Sequence, residues 1–501
     1  MWGITVIRIS GKLLDRSVMT ASNPKVSNVT QKLALGIQFG LIAGPFLSMI
    51  DSNVINVALP AILTDFHTSI SAVQWVLSAY LLSSGAALVS SPYLSKKFGP
   101  NRVYLYSLLG FTGASALCAL APSLEVLILA RVLQGALGAV MVPLAMDMLL
   151  GKEGSSKQIS PAFGIILFLA PALGPTLGGF LISVAGWPSV FLINVPLGLF
   201  SALIISRSKF PQVRPGDALK FDFAGALILA SGVVLALYGA SEGPLIGWAS
   251  LGSLPYWAAG IVLLVAYGLW TLRKAHPAVN LKLLRNTQTA LALVIITIAS
   301  TVLFAMLFLL PIFMESIQGM SATVTGLVLL PQGVVTGIGT WIGDKLSKQR
   351  SERSIRLTTI LGMTILTVTT AMLLRVDLGT PDWVIAVILS GRGLALGLTI
   401  QPLLYATIGN LEGSEVPDGN TLFNVMDRLG GSIGISLLAS FFQFSEQSYI
   451  SAGSSGSAMQ LTQAALHGFH DTILLLIVVS LVGVFLALFL KKKAEDEMIT
   501  E

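Results

Sequence analysis

Residues Leu124 to Pro143 read LEVLILARVLQGALGAVMVP, an apolar run in which Arg131 is the single basic residue. A helix of this length, at 1.5 Å rise per residue, spans about 30 Å, the thickness of the hydrocarbon core of a bilayer. The run does not alternate with a period of two, as a strand of a membrane barrel would. Because lipid offers the backbone no hydrogen-bond partners, the stretch is predicted to be a transmembrane helix.

Similar apolar runs fill most of the chain. Hydrophobic residues make up 54% of the 501 positions, charged residues only 11%, and the mean hydropathy is +0.82. A soluble domain has about 25% charged residues, so a soluble fold is excluded. The runs predict fourteen spans: 34–58, 73–94, 103–121, 125–148, 160–183, 189–206, 222–241, 253–272, 288–312, 323–343, 357–374, 383–406, 419–444 and 470–490.

A second stretch, WVIAVILSGRGLALGLTIQP from Trp383 to Pro402, repeats the pattern of the first. Each copy carries one Arg within the span, Arg131 or Arg392, follows it with small residues and closes with Pro. Each also precedes a glycine-rich span. The match indicates a parallel repeat, the organisation with which many secondary transporters alternate access to a midplane site.

The repeat predicts the domain organisation of an all-α polytopic membrane protein. Residues 1–33 form a leader, 34–206 a six-helix bundle, 207–287 a linker with two extra transmembrane helices, 288–490 a second six-helix bundle and 491–501 a tail. Met19 opens a more ordinary polar leader than Met1, so translation is expected to start there.

The distribution of basic residues explains the formal net charge of +6. Of the 30 Lys and Arg residues, only Arg375 falls in a loop on the side away from the termini, while Arg131, Arg392 and Arg428 fall within spans. This is the positive-inside pattern. It predicts an integral membrane protein with both termini in the cytoplasm, and the basic pI then gives no reason to expect a nucleic-acid partner.

Several functional classes lack their signatures. No Gly-rich loop ends in Gly-Lys-Ser/Thr, so ATP is not expected to drive the protein. The four His residues fall near span ends or in loops, and the single Cys118 lies inside the third predicted span. No metal, cofactor or enzymatic activity is therefore expected.

Four ordered motifs carry a family resemblance. MIDSNVINVALP at Met49–Pro60 resembles a first-span "LDxTIVNVALP" signature, and LARVLQG at Leu129–Gly135 a fourth-span motif. LGPTLGG at Leu173–Gly179 resembles a fifth-span antiporter motif, and FLINVPLG at Phe191–Gly198 the start of a sixth span. Over nearly its whole length the chain resembles the 14-helix drug:proton antiporters of the major facilitator superfamily, which implies efflux of many compounds and a monomer.

The resemblance also implies gating motifs. The loop after span 2 usually reads Gly-x-Leu-x-Asp-Arg-x-Gly-Arg in that family, whereas PYLSKKFGP here has Lys96 in place of the Asp, keeps Gly99 and is followed by Arg102. The salt bridge credited to that Asp cannot form, and Asp344 after span 10 is expected to take part of its role. The span-5 motif supplies four further gating candidates: Gly174, Pro175, Gly178 and Gly179.

Asp51 is the first candidate for proton coupling. An ionised carboxylate in an apolar span costs at least ~2.5 kcal/mol on insertion scales, and protonation relieves that cost. Asp51 could therefore take a proton from one side and lose it on the other. Arg131 could approach it when the cavity is closed. The alternatives are a buried structural acid for Asp51 and, for Arg131, an anchor to backbone carbonyls of span 1.

Span 13 carries a second charged pair, Asp427 and Arg428. Adjacent residues on a helix point about 100° apart, so the two are expected to face different partners. Arg392 is a candidate partner for Asp427, and a substrate or carboxylate for Arg428. A structural pair within the bundle is the alternative.

Substrate binding is expected to use residues in the spans that line the cavity of this fold. Aromatic and Met side chains suit hydrophobic cations and neutral drugs. The candidates are Trp75, Tyr80, Glu315, Arg392, Phe423 and Met426. Packing or lipid contact is the alternative for most of them.

These features favour proton-coupled efflux of small amphipathic or cationic compounds such as drugs and dyes. Export of one dedicated metabolite or siderophore is a second possibility, in which Arg428 would read an anionic group. A membrane sensor that does not transport is a third, against which the buried charges in matching spans argue.

Overall fold

The computed structural model describes residues 24–150, 161–208, 221–274, 277–347, 352–409, 411, 415–452 and 458–490. Within these ranges the long elements are all α-helices. Met19, most of the predicted leader 1–33 and the predicted tail 491–501 lie outside the described residues.

The chain forms α1 (Pro24–Asp65), α2 (Ile70–Leu88), α3 (Pro100–Ala119), α4 (Leu124–Leu150), α5 (Pro161–Ala185), α6 (Ser189–Arg207), α7 (Phe223–Ile246), α8 (Leu254–Arg273), α9 (Thr287–Ile317), α10 (Ala322–Ser347), α11 (Glu352–Met372), α12 (Asp382–Ile408), α13 (Val416–Ala452) and α14 (Ala458–Ala487). Among the described residues, 12 helices are long and apolar enough to cross a membrane. The helices α3 and α5 lie where the third and fifth spans are predicted. The polytopic all-helical fold is therefore confirmed, and the span count approximately so.

The two halves of the chain pack in the same way. In the first half α1 packs on α5 and α6, and α4 packs on α2 and α3. In the second half α9 packs on α13 and α14, and α12 packs on α10 and α11. Equivalent helices thus make equivalent contacts in the same chain order, which is what a parallel repeat produces.

The halves meet through exchanged pairs of helices. Helix α5 packs on α10, α2 packs on α13, and α1 touches α9. A methyl group on Gly179 of α5 would overlap the carbonyl of Ala322, and one on Gly326 of α10 would overlap that of Pro175. Glycine is required at both positions because the backbones approach so closely.

Hydrogen bonds join the two bundles on the distal side, defined as the side of the loops 66–69, 186–188 and 318–321, away from the chain termini. The hydroxyls of Ser183 and Thr323 lie 3.0 Å apart there. Backbone N–H of Ser71 also donates to Gln443 across α2 and α13, at 3.2 Å. The distal halves of the two bundles are therefore joined.

Helices α7 and α8 pack mainly on each other, and α7 also contacts α13 and α2. Asp222 caps α7 by accepting from the backbone N–H of Gly225 at 3.1 Å. The same carboxylate accepts from Trp270 Nε1 at 3.0 Å and from the backbone N–H of Ala278 at 3.4 Å. One buried acid thus ties α7 to α8 and to the segment that follows it.

Candidate functional site

Asp51 lies near the middle of the apolar part of α1 and is only 2% exposed. The Nη1 of Arg131 on α4 donates to its Oδ2 at 2.5 Å, and the arginine is completely buried. The structure therefore brings the two predicted residues into one ion pair, remote from solvent.

The second carboxylate oxygen of Asp51 is held by two amides. Gln134 Nε2 on α4 and Asn194 Nδ2 on α6 each donate to Oδ1 at 2.8 Å. Gln134 also donates to Ser115 Oγ on α3 at 2.8 Å. Four helices of the first half thus converge on one carboxylate, and both of its oxygens are occupied.

Arg131 makes further contacts that fix its orientation. Its Nε donates to the backbone carbonyl of Val76 on α2 at 3.1 Å, and Nη1 donates to Gln134 Oε1 at 2.7 Å. The guanidinium carbon lies 4.2 Å from the centre of the Tyr80 ring and 5.6 Å from that of Phe191, within cation–π range. The backbone carbonyl that Arg131 contacts belongs to α2 and not to α1. Among the residues that the structure describes, Nη2 has no hydrogen-bond partner.

The negative charge of Asp51 balances the buried positive charge of Arg131. While it is ionised, the carboxylate compensates the buried guanidinium of Arg131 and accepts three hydrogen bonds from side chains. Adding a proton would leave Arg131 as an uncompensated buried cation, which is far more costly than the intact pair. The contact between α1 and α4 at this point therefore depends on both charges of the pair.

The predicted span-5 motif forms a packing surface on α5. A Cβ on Gly174 would lie 2.7 Å from Asn53 Cβ of α1, and one on Gly178 would lie 3.0 Å from the backbone oxygen of Val54. Gly179 faces α10, and the carbonyl of Pro175 lies against Gly326. The motif thus presses α5 against the helix of Asp51 on one face and against the second bundle on the other.

The predicted gating loop is a short helix, Ser91–Phe98, followed by α3. Gly99 joins the two with φ +85°, a conformation that favours glycine. Lys96 and Arg102 are exposed and make no hydrogen bond or ion pair with the described residues. In the second half, Tyr405 of α12 donates to Asp344 of α10 at 2.6 Å, so this acid has a partner within its own bundle.

Asp427 and Arg428 point to different neighbours. Ser300 of α9 donates to Asp427 Oδ1 at 2.5 Å. Arg392, the candidate partner of Asp427, instead donates to Thr370 Oγ1 at 2.6 Å and to the carbonyl of Val302 at 3.1 Å. The expected pairing of Arg392 with Asp427 is therefore wrong in this structure, because Arg392 turns toward α11 and a backbone carbonyl. Arg392 is fully buried and does not line the cavity among α2, α4, α7 and α13.

A cavity of about 540 Å³ lies among α2, α4, α7 and α13, and it holds two of the predicted residues, Trp75 and Arg428. The other candidates lie elsewhere. Tyr80 is packed under Arg131, and Phe423 and Met426 belong to the apolar core. Glu315 is half-buried in a π-helical turn at the end of α9, and within the described part of the chain its Oε1 has no hydrogen-bond partner.

The amides around Asp51 were not assigned a role from the sequence, although a signal was present. Gln134 follows Arg131 by three positions, which puts both on one face of α4. Asn194 is an amide in an apolar span, where polar side chains are rare. Within the described residues, no cluster of three or more His, Cys, Asp or Glu side chains could hold a metal ion.

A sequence model described as Major Facilitator Superfamily matches residues 41–435. The chain is 30% identical over 407 residues to a "Multidrug resistance protein B homolog" of Mycobacterium tuberculosis (strain ATCC 25618 / H37Rv), covering 78% of this chain and 73% of that protein. It is 26% identical over 432 residues to the "Methylenomycin A resistance protein" of Bacillus subtilis (strain 168), covering 85% and 92%.

Solved structures agree on the fold. The crystal structure of the nucleoside transporter NupG superposes with a TM-score of 0.65 and covers 92% of this chain and all of that one, at 10% sequence identity. Identity this low supports the shared architecture alone.

Proposed function

The chain belongs to the Major Facilitator Superfamily, and from this premise we propose that it exports small amphipathic or cationic compounds, drugs and dyes among them, in exchange for protons. Relatives named for drug resistance support efflux. The protein is integral to the membrane. The proposal places it in the bacterial inner membrane as a monomer, with both termini in the cytoplasm and the distal side outward.

The Asp51–Arg131 pair carries the proposal. It is a titratable carboxylate in the interior of a membrane bundle, bonded at 2.5 Å to a buried cation whose charge it neutralises. Intramembrane acids of this kind are costly and mark proton and substrate pathways in transporters. A purely structural pair is the alternative, and only transport measurements separate the two.

The electrostatics of the site support the following exchange cycle. With the distal side open, Asp51 takes up a proton and Arg131 loses its counter-charge. The rearrangement that lets Arg131 find new partners closes that side and opens the other. There the proton leaves Asp51, the pair re-forms, and the next substrate enters from the cytoplasm or the inner leaflet. One proton then moves from the distal side to the cytoplasm each time Asp51 is protonated and deprotonated.

Asp427 of α13 is proposed as a second titratable group. Among the described residues its carboxylate accepts one hydrogen bond, from the neutral hydroxyl of Ser300, and its side chain is half-buried. Without a cation bonded to it, its charge state has less effect on helix packing than that of Asp51. We therefore assign the first coupling step to the first bundle.

Dye export from energised everted vesicles tests the proposal. We expect wild-type protein to move ethidium against its gradient when a pH gradient is imposed, and a protonophore to abolish this. Asp51→Asn is expected to reduce export to the level measured with the protonophore. Asp65→Asn is the matched control, because Asp65 ends the same helix in solvent and bonds only Trp187, at 2.8 Å.

Two results would contradict the proposal. The first is gradient-driven export by Asp51→Asn at the wild-type rate, which would mean that the Asp51–Arg131 pair has only a structural role. The second is export that the protonophore does not affect, which would show that the proton gradient does not drive export through any residue.

Export of a single dedicated compound is the second candidate. The name of one relative, a resistance protein for methylenomycin A, favours it, as does the single charge in the α2–α13 cavity. The same vesicles distinguish the two functions, because a dedicated exporter would move none of several unrelated dyes while still responding to the pH gradient with its own substrate.

A further inference from the structure

The cavity between the two bundles has an uneven distribution of polarity. Its walls come from α2, α4, α7 and α13, and they are almost entirely aliphatic or aromatic. Arg428 is the one charged side chain among the lining residues. An apolar pocket of this size with one polar feature is typical of sites for drug-sized ligands.

Among the described residues, the charge of Arg428 is unpaired. Its guanidinium makes no hydrogen bond and no ion pair with any residue that the structure describes, although the side chain is half-buried between α13 and Gly85 of α2. Its neighbour Asp427 faces α9 and bonds Ser300. An arginine inside a membrane bundle normally pairs with an acid or with backbone carbonyls. The five N–H donors of Arg428 are thus available to whatever occupies the cavity.

The two hydroxyl groups of the cavity are already used. Ser83 donates its hydroxyl to the carbonyl of Tyr80 at 3.1 Å, and Ser90 donates to that of Ala87 at 2.7 Å, both within their own segment of the chain. Besides the indole N–H of Trp75, the polar chemistry of the lining is therefore the single cation of Arg428 in an apolar chamber.

The inserted helix α7 supplies the outer wall. Val233 and Val234 line the cavity, and the Tyr238 ring, with its centre 6.1 Å from that of Trp75, packs beside it. The Asp222 contacts described above hold α7 in this position. The cavity thus exists because the extra helix pair covers the groove between α2 and α13.

We propose that this cavity binds a bilayer-soluble amphipath with a single carboxylate and an apolar body, such as a long-chain fatty acid, with the carboxylate on Arg428. The proposal rests on the proposed export function and deepens it by adding an anionic substrate class. One guanidinium balances one negative charge, and it fits a carboxylate with two parallel hydrogen bonds. A phosphate monoester carries −1.5 to −2 and would leave excess charge in an apolar chamber.

The volume agrees with a single chain. At about 540 Å³ the cavity falls within the roughly 300–1,000 Å³ of sites that bind drug-sized molecules. A single-chain amphipath belongs to that size class.

Photolabelling tests this without a proton gradient, so its failure leaves the proton-exchange proposal standing. The protein is reconstituted in phosphatidylcholine vesicles with a diazirine-bearing palmitic acid, irradiated and digested, and the labelled peptides are identified. We expect label on cavity residues of α2, α7 and α13. Oleate should compete for it, whereas methyl oleate and oleylamine should not.

Variants then test the role of the charge. Arg428→Gln should weaken oleate competition by about tenfold or more, the loss expected for a charge-assisted hydrogen bond, whereas Arg428→Lys should retain most of it. Arg375→Gln is the control, because Arg375 is an exposed cation on the distal side. Val233→Trp should block labelling by filling the cavity.

Three outcomes would overturn the proposal. Equal competition by oleate and methyl oleate, or unchanged competition in Arg428→Gln, would mean that the cavity binds acyl chains without recognising a carboxylate. Displacement of the label by phosphatidylglycerol better than by oleate would assign the cavity to a lipid headgroup. Label confined to the outer surface of the bundle would remove the site altogether.

Discussion

The hydroxyl oxygens of Ser183 on α5 and Thr323 on α10 lie 3.0 Å apart, although they belong to different halves of the chain. Thr323 also donates to the carbonyl of Gly179 at 3.2 Å. Beside them Thr176 donates to the carbonyl of Gly326 at 3.0 Å. These bonds join the distal ends of the bundles directly, so any opening on that side has to break them.

A cysteine pair at these two positions should therefore lock the protein. We expect the double variant Ser183→Cys, Thr323→Cys to form a disulfide under mild oxidation, because side-chain oxygens 3.0 Å apart place their Cβ atoms near bonding range. Dye export should stop on oxidation and recover on reduction. Gel mobility after cleavage in the loop between the bundles measures the disulfide directly.

The background for this measurement is low because the chain has one native cysteine, Cys118, which is buried. Each single cysteine variant serves as a control and should keep its export under oxidation. A disulfide that forms in full while export continues would show that the distal ends need not separate during transport.

Gly179 offers a second test of the same contact. Because a methyl at this position would overlap the carbonyl of Ala322, Gly179→Ala should push α5 away from α10. We expect lower disulfide yield in the cysteine pair background and a reduced rate of export. Gly113→Ala is the matched control, since a Cβ there meets nothing within 4 Å. Equal disulfide yields in the two variants would contradict a role for close α5–α10 packing.

The sequence predicted the helices, the repeat and the charged residues because each of these is a local signal. A run of apolar residues specifies a spanning helix wherever the chain places it, and Asp51, Arg131 and Arg392 are conspicuous in such runs. The match of Leu124–Pro143 to Trp383–Pro402 likewise needs no knowledge of packing.

Partners within the site were harder to predict because they come from distant parts of the chain. Asp51 is separated from Arg131 by 80 positions and from Asn194 by 143. Which amide reaches the carboxylate depends on the rotation of α6 about its axis relative to α1. A uniformly apolar sequence does not specify that rotation. The expected pairing of Arg392 with Asp427 was wrong for the same reason.

Asn194 should contribute measurably to the stability of the site. In Asn194→Ala the Oδ1 of Asp51 keeps only the Gln134 amide, and a lost hydrogen bond to a buried charged group costs about 1–3 kcal/mol. Denaturation of the purified protein measures the change. Asn424→Ala is the control, because that exposed amide bonds only within its own helix at Asn420, and the change should stay within about 0.5 kcal/mol. Equal values for the two variants would place Asn194 outside the site.

Asp222 should hold the inserted helices in place. Asp222→Ala removes a helix cap and the bonds to Trp270 and Ala278, and we expect a loss of about 1–3 kcal/mol and faster proteolysis near residues 209–220. Asp222→Asn keeps a capping oxygen and should lose less. If the alanine variant resists protease as well as wild type does, the anchor is dispensable.

Asp51 and Arg131 should depend on each other for stability as well as for transport. Arg131→Gln leaves a buried carboxylate without its cation, and Asp51→Asn leaves a buried cation without its carboxylate. Removing one partner of a buried pair costs about 3–5 kcal/mol, whereas removing both leaves no uncompensated charge. The double variant Asp51→Asn, Arg131→Gln should therefore be more stable than either single variant in thermal unfolding of the purified protein, yet export nothing against a gradient.

If instead the losses of the two single variants add in the double variant, the residues are not energetically paired. If the stable double variant still exports under a pH gradient, the pair supports the fold and the coupling acid lies elsewhere, with Asp427 the next residue to replace.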